Sequence, residues 1–314
     1  MKLSTLSLLS LLSMTVINSA MATSAKVIYD QDNRQDVSLF PDNYYRQAAL
    51  SVAGKVRSFS LTSSVDEPGQ LNFKHTTLQS FANLCPDERF AQQLTLPTCT
   101  GFLVADDVLV TAGHCMTGEM DCNTSTWVFD YVEGTNSIPS KNAYNCKKII
   151  QSELVSSWYK MRDYAVVQLD RKVTTERQAL TFRQDHSVSV GTPLVVIGHP
   201  SGLPLKIADG AKVKIANWTE FFTPIRSIIR KKYYFLGDLD TFGGNSGSPV
   251  FNQTTGMVEG ILVQGAEDYV ADNSGRACYV AARRVSKKFN SMEKVYRITK
   301  INNLKKIVED AEAR

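Results

Sequence analysis

Short apolar runs of period-two character, each closed by turn residues, recur along most of this chain, and they constrain its fold more than any other feature. Gly101 to Val104, Val108 to Thr111, Thr126 to Tyr131, Tyr164 to Leu169, Pro193 to Ile197, Lys212 to Ile215, Pro249 to Phe251 and Val258 to Val263 each read as a strand. Asp106-Asp107, Gly134-Thr135-Asn136, Pro200-Ser201-Gly202 and Gly243-Gly244-Asn245 supply turn chemistry between them. A chain with that rhythm buries a mostly β core. Helical periodicity is convincing only near the end. There Ile298, Ile301, Leu304, Ile307 and Val308 follow three- and four-residue steps with Lys and Arg between them, an amphipathic helix expected to pack on the β core. The Ser-rich stretch from Ser58 to Gln70, with Pro68-Gly69, reads as an exposed loop.

The first residues concern address rather than fold. Leu3 to Ile17 is an apolar run behind a single Lys2, interrupted by serines and too short for a spanning helix. With Ala20-Met21-Ala22 after it in the A-x-A pattern, it reads as a signal peptide cleaved after Ala22, and the protein is expected to be exported, periplasmic or extracellular. Export gives the six cysteines a meaning: Cys85, Cys99, Cys115, Cys122, Cys146 and Cys278 are an even set in an oxidising compartment, where disulfides are expected. Three bridges among them allow 15 connectivities. No C-x-x-C pair and no carboxylate cluster stands out, so no metal or organic cofactor is expected. Lys and Arg number 35 against 31 Asp and Glu, a net charge of +4 without a long basic block, which argues against a nucleic-acid partner.

With four histidines in the chain, the search for a catalytic base is short. His75 lies in a polar segment, His186 follows a charged stretch, and His199 sits before Pro200 as a turn residue. His114 ends an apolar strand in Thr111-Ala112-Gly113-His114-Cys115. Downstream stands Gly243-Gly244-Asn245-Ser246-Gly247-Ser248-Pro249, where glycines flank a serine, leaving room for backbone N–H groups to crowd a reacting carbonyl. The pairing points to an activated serine.

These segments, together with Asp163-Tyr164-Ala165-Val166-Val167-Gln168-Leu169, resemble the trypsin-like serine proteases, in their chain order of His, Asp and Ser. The similarity runs from about Val27 to Ala282 and is nearest the secreted bacterial glutamyl endopeptidase branch. It implies an all-β fold of two packed six-stranded antiparallel barrels with a C-terminal helix, and a cleft holding His114 as base, Asp163 as its orienting carboxylate and Ser246 as nucleophile. Asp170 is the rival for the third place, but it follows its strand instead of preceding it. By the same resemblance the backbone N–H groups of Gly244 and Ser246 form the oxyanion hole. Cys99 pairs with Cys115, as the family braces its histidine; Cys122 with Cys146 is then a plausible local bridge, leaving Cys85 with Cys278.

Two departures follow from the comparison with that family. Animal relatives carry Asp before the serine to pair with a new N-terminus, whereas this chain has Asn245, as the bacterial branch does. Val27-Ile28-Tyr29-Asp30 resembles that branch's mature start, which makes Thr23 to Lys26 a short propeptide. The branch reads Glu partly with a His on the strand after the serine, and Leu262 stands there. Asp240, six residues before Ser246, is instead expected at the base of the primary pocket for Lys or Arg, with Thr241 beside it, Leu262 and Gly265 on its wall, and Asp238 as competitor.

The domain reading is a signal peptide over 1–22, a propeptide over 23–26, a protease domain over 27–285 with barrels at about 45–175 and 186–285, and a basic helical extension over 286–314. The expected function is an exported, monomeric serine endopeptidase acting on protein or peptide substrates, without stable membrane association, cutting after Lys or Arg. The alternatives are a protease of Glu or other specificity and a catalytically silent protease-fold binding protein.

Overall fold

The computed structural model describes residues 28–29, 31–156, 161–173, 177–216, 233–265, 267–284 and 292–314. The N-terminal apolar run, the expected cleavage points after Ala22 and Lys26, and Val27 lie outside the described residues. Within them the chain builds two closed six-stranded antiparallel barrels. The first is made of β1 (Val52–Arg57), β2 (Cys99–Ala105), β3 (Val108–Thr111), β4 (Ser125–Phe129), β5 (Ala143–Ser156) and β6 (Met161–Leu169), in the order β5-β6-β3-β2-β1-β4 with β4 paired back to β5. The second is made of β7 (Pro193–Gly198), β8 (Lys206–Ile215), β9 (Tyr234–Gly237), β10 (Pro249–Asn252), β11 (Val258–Gln264) and β12 (Glu293–Arg297), in the order β7-β10-β11-β12-β9-β8, closed by β8 on β7. Arg34–Asp36 adds a short strand to the outer side of β8.

Closure leaves neither barrel an unpaired edge, and each fills with the inward side chains of alternating strands. Trp127, Phe102, Val110 and Val166 are fully buried in the first barrel, and Leu194, Val250, Phe235 and Val295 are buried in the second. Four barrel strands escape the apolar pattern. β1 is interrupted by Gly54 and by Lys55, which is buried because its ammonium donates to the Cys115 carbonyl and pairs with Asp121 at 3.4 Å. β5 is long and half-exposed along its length, β9 is short, and β12 lies beyond residue 285. The second barrel therefore reaches past the boundary read from the sequence, because β12 fills the place between β11 and β9.

Two smaller expectations also change. β4 stops at Phe129, since Asp130 takes a left-handed φ of 59° that ends the extended run before Tyr131. The Ser-rich stretch is partly ordered: Leu61–Ser63 and Gln70–Phe73 form a hairpin extended by Ile138–Pro139. The C-terminal helix Leu304–Glu312 turns Leu304 and Ala311 onto the first barrel, with Ile307 and Val308 partly buried beside them. Arg314 anchors its end on Asp107 at 2.9 Å. Among the described residues no helix is long and apolar enough to cross a membrane.

Candidate active site

His114 sits on the turn that leaves β3, and Asp163 on β6, the neighbour of β3 in the first barrel. The His114 backbone N–H donates to Asp163 Oδ1 at 3.0 Å, and its ring Nδ1 lies 2.9 Å from Oδ2 and 3.1 Å from Oδ1. An ionised carboxylate only accepts, so Nδ1 donates to it, and in the neutral ring Nε2 is then the nitrogen with the lone pair. Asp163 is 8% exposed and lies behind the more open imidazole. A disulfide from Cys115 to Cys99 on β2 fixes the histidine turn to the barrel wall. The cysteine sulfurs and His114 Nδ1 or Nε2 lie within 4.8 Å of one another, but the disulfide leaves no thiolate for a metal. Asp170 is exposed and bonds to Asn145 and Arg171, away from this pair.

Ser246 is brought to the same place by the second barrel. Its carbonyl accepts the Thr100 N–H of β2 at 2.8 Å, directly beside Cys99. Upstream, Asn245 N–H donates to Phe242 O at 3.0 Å, closing a turn whose third residue, Gly244, has φ of 92°. That is type II geometry, in which the third position takes a positive φ and so favours glycine. Gly247 is held as tightly: its φ is 90°, and a Cβ there would lie 2.0 Å from the Thr100 carbonyl. Around this loop Thr100 Oγ1 donates to Gly244 O at 2.8 Å, Gly247 N–H to Leu262 O at 2.7 Å, and Ser248 N–H to Asn245 O at 2.9 Å. Among the described residues the N–H groups of Gly244 and Ser246 donate to nothing, so two donors are held by a saturated frame. No hydrogen bond joins Ser246 Oγ to His114 among the described residues, a contact that commonly tightens only when substrate binds.

The expected pocket residues are arranged differently from the sequence reading. Asp240 is 5% exposed, and its two oxygens accept the N–H groups of Tyr29 at 2.8 Å and Asn33 at 2.9 Å. Burial pushes its pKa up to about 6 against the opposing pull of those donors. Its carboxylate is thus spent on the N-terminal segment rather than offered to a basic side chain. Asp238 accepts the Lys212 N–H and pairs with Lys214 at 2.8 Å. Thr241 is buried, and among the described residues its Oγ1 has no partner. Leu262 packs into the core of the second barrel with Leu239 and Val295. Gly265 backs onto Glu293, where a Cβ would come within 2.5 Å of the carboxylate.

His199 is more than a turn residue. It is buried, with Nδ1–H donating to Leu203 O at 2.9 Å and its backbone N–H to Thr100 Oγ1 at 3.1 Å. Burial holds its pKa down to about 4. Beside the Gly243-Gly244 turn lies a cavity of about 610 Å3, walled by Pro97, Ser201, Gly202, Asp268 and Tyr269 among others. Sequence reasoning missed Asp268 and Tyr269: neither sits in a motif, and only Gly-rich spacing marks the turn they touch.

The family model described as Trypsin matches residues 87–289. A glutamyl endopeptidase of Bacillus licheniformis is 27% identical over 169 residues, 51% of this chain and 47% of that protein, so the chain spans about half the length of the curated relative it matches. A solved Glu endopeptidase, in complex with MPD, is 15% identical and aligns with a TM-score of 0.50 over 92% of this chain and 100% of that one. At that identity the likeness concerns the fold.

Proposed function

We propose, from the premise that this chain belongs to the trypsin family, that it is an exported serine endopeptidase using Ser246, His114 and Asp163. The observation that carries the reading is the His114–Asp163 contact, which fixes the imidazole in place, with the loop holding two N–H donors that, among the described residues, have no partner. Ser246 Oγ is a weak nucleophile while protonated. His114 Nε2 takes its proton as Oγ attacks the peptide carbonyl, and Asp163 stabilises the imidazolium that forms. The carbonyl oxygen becomes an oxyanion between the N–H groups of Gly244 and Ser246, each worth about 3 to 4 kcal/mol in comparable sites. The imidazolium then protonates the leaving amine as the C–N bond breaks, and an acyl-enzyme remains. Water, deprotonated by His114, attacks the ester and restores Ser246.

Disulfides between Cys85 and Cys278, Cys99 and Cys115, and Cys122 and Cys146 support export into an oxidising compartment. Specificity divides into two readings. Cleavage after Lys or Arg needs Asp240 to exchange its two backbone donors for a substrate cation. Cleavage after Glu is favoured by the name of the Bacillus licheniformis relative and by the engagement of Asp240.

The test is a map of new termini made in a diverse peptide mixture, read by mass spectrometry with Ser246→Ala as blank. The variant should lose about 10⁶-fold in kcat while keeping its fold. Cuts that persist in Ser246→Ala would end the assignment, and the residue before each cut separates the two specificities. Absence of cuts, together with failure of a fluorophosphonate to label Ser246, would favour a silent binding protein on the same fold.

A further inference from the structure

The turn Phe242–Asn245 has to hold one peptide, 243–244, in one of two orientations. In a trans peptide the C=O and N–H point in opposite directions, so whatever grips Gly243 O decides where Gly244 N–H is aimed. In this chain that grip is the backbone N–H of Ser201. Ser201 is itself in an unusual conformation, φ 54° and ψ 25°, a left-handed backbone that a non-glycine residue adopts only when its surroundings hold it there. Tyr269 braces its side chain, with the hydroxyl 2.6 Å from Ser201 Oγ and the ring packed on Phe242 at a centroid distance of 5.3 Å. On the other side of the same residue, Gly243 N–H donates to Asp268 Oδ2 at 2.7 Å. The buried Arg34 stacks on the Phe242 ring, its guanidinium carbon 4.0 Å from the centroid.

We infer that Asp268 and Tyr269 are positioning residues of the oxyanion hole, clamping the 243–244 peptide so that Gly244 N–H faces the reacting carbonyl. Asn245 cannot make the ion pair that an Asp would make with a newly cut N-terminus, and the backbone N–H groups of Tyr29 and Asn33 go to Asp240. The clamp supplies by neutral and charge-assisted hydrogen bonds the orientation that such a pair would otherwise impose. With the clamp on Gly243, and with Asn245 N–H on Phe242 O and Thr100 Oγ1 on Gly244 O, both carbonyls flanking the 243–244 peptide and Gly243 O itself are held, while among the described residues Gly244 N–H donates to nothing. The inference rests on the proposed role of Gly244 N–H as an oxyanion donor.

The test uses the full chain in four forms: wild type, Tyr269→Phe, Asp268→Ala and Asp268→Asn. For each, kcat and KM are measured on a peptide found in the cleavage map. Also measured is the Ki of the matching peptide aldehyde, whose hemiacetal oxygen occupies the oxyanion position. Tyr269→Phe and Asp268→Ala should lower kcat by about 10- to 100-fold and weaken the aldehyde in parallel, with KM within about threefold, because a misaimed donor is felt in the transition state. Asp268→Asn keeps an acceptor oxygen for Gly243 N–H and should recover most of the loss. Unchanged kcat and aldehyde Ki in both deletion variants would overturn the inference, and so would a loss confined to KM. Should Asp268→Ala fail to fold by circular dichroism, Tyr269→Phe, which removes one hydroxyl, decides alone. A wild type that neither cuts peptides nor is labelled at Ser246 by a fluorophosphonate would instead overturn the proposed function, and the inference with it.

Discussion

At Gly247 a single methyl group would meet the Thr100 carbonyl at 2.0 Å and Thr111 Oγ1 at 2.3 Å, on a backbone whose φ of 90° already excludes ordinary side chains. The two barrels touch there with no space between them, and that contact sets Ser246 against β2. Gly247→Ala should therefore lower stability by about 3 kcal/mol or more, since neither backbone can yield without parting the barrels. Denaturant unfolding measures it, and a change below about 1 kcal/mol would show that the junction is looser than its geometry implies. The sequence made this glycine visible only as one of several around a serine. Its neighbour Gly244 carries the same signal for a different reason, the third position of a type II turn.

Among the elements, the strands with a continuous aliphatic run were legible, and those short, half-exposed or broken by a glycine and a buried charge were not. β3 and β11 could be read from the aliphatic runs Val108-Leu109-Val110 and Ile261-Leu262-Val263, whereas β1 hides a buried Lys55 whose partners, Cys115 O and Asp121, lie far along the chain. The hairpin Tyr269–Ala271 with Tyr279–Ala281 was missed for a different reason: its strands are three residues long and largely half-exposed, and a disulfide anchors it. Cys278 joins Cys85 across a separation of 193 residues, and Cys85 N–H donates to Tyr279 O beside it. Removing the bridge with Cys85→Ala and Cys278→Ala together should cost about 5 kcal/mol in the chain-entropy view. The same double variant should also lower kcat, because this hairpin carries Tyr269. A drop in melting temperature with kcat intact would separate the bridge from the site.

For the molecule as a whole, buried ionisable groups make stability depend on pH in opposing ways. His199 has its pKa held down to about 4 against an ordinary 6.5. Its contribution is full above pH 6.5 and is lost as pH falls toward 4, because the unfolded chain takes up the proton first. Asp240, raised to about 6 from 3.8, acts in the other direction: the native state takes its proton first, so stability from this group rises as pH falls from about 6 to 4. The two partly cancel. His199→Gln removes only the first, so the stability difference between wild type and variant should shrink by about 3 kcal/mol between pH 6.5 and 4. Denaturant titrations across that window measure it, and a pH-independent difference would mean that His199 is not held neutral by burial.

The sequence by itself determined what local chemistry can specify: alternating strands, turns at glycine and proline, an even cysteine set, and a histidine and a serine in motifs whose resemblance brought Asp163 with them. Each of those signals lies within a few residues of the group it describes. Only the tertiary structure decided where Asp240 spends its carboxylate, why His199 is neutral, which strand closes the second barrel and what holds the Phe242–Asn245 turn. These depend on partners brought together across the chain, as Tyr29 is to Asp240 and Ser201 is to Tyr269. A hydrogen bond between such residues leaves no periodicity in the sequence, because its geometry exists only once both barrels have closed.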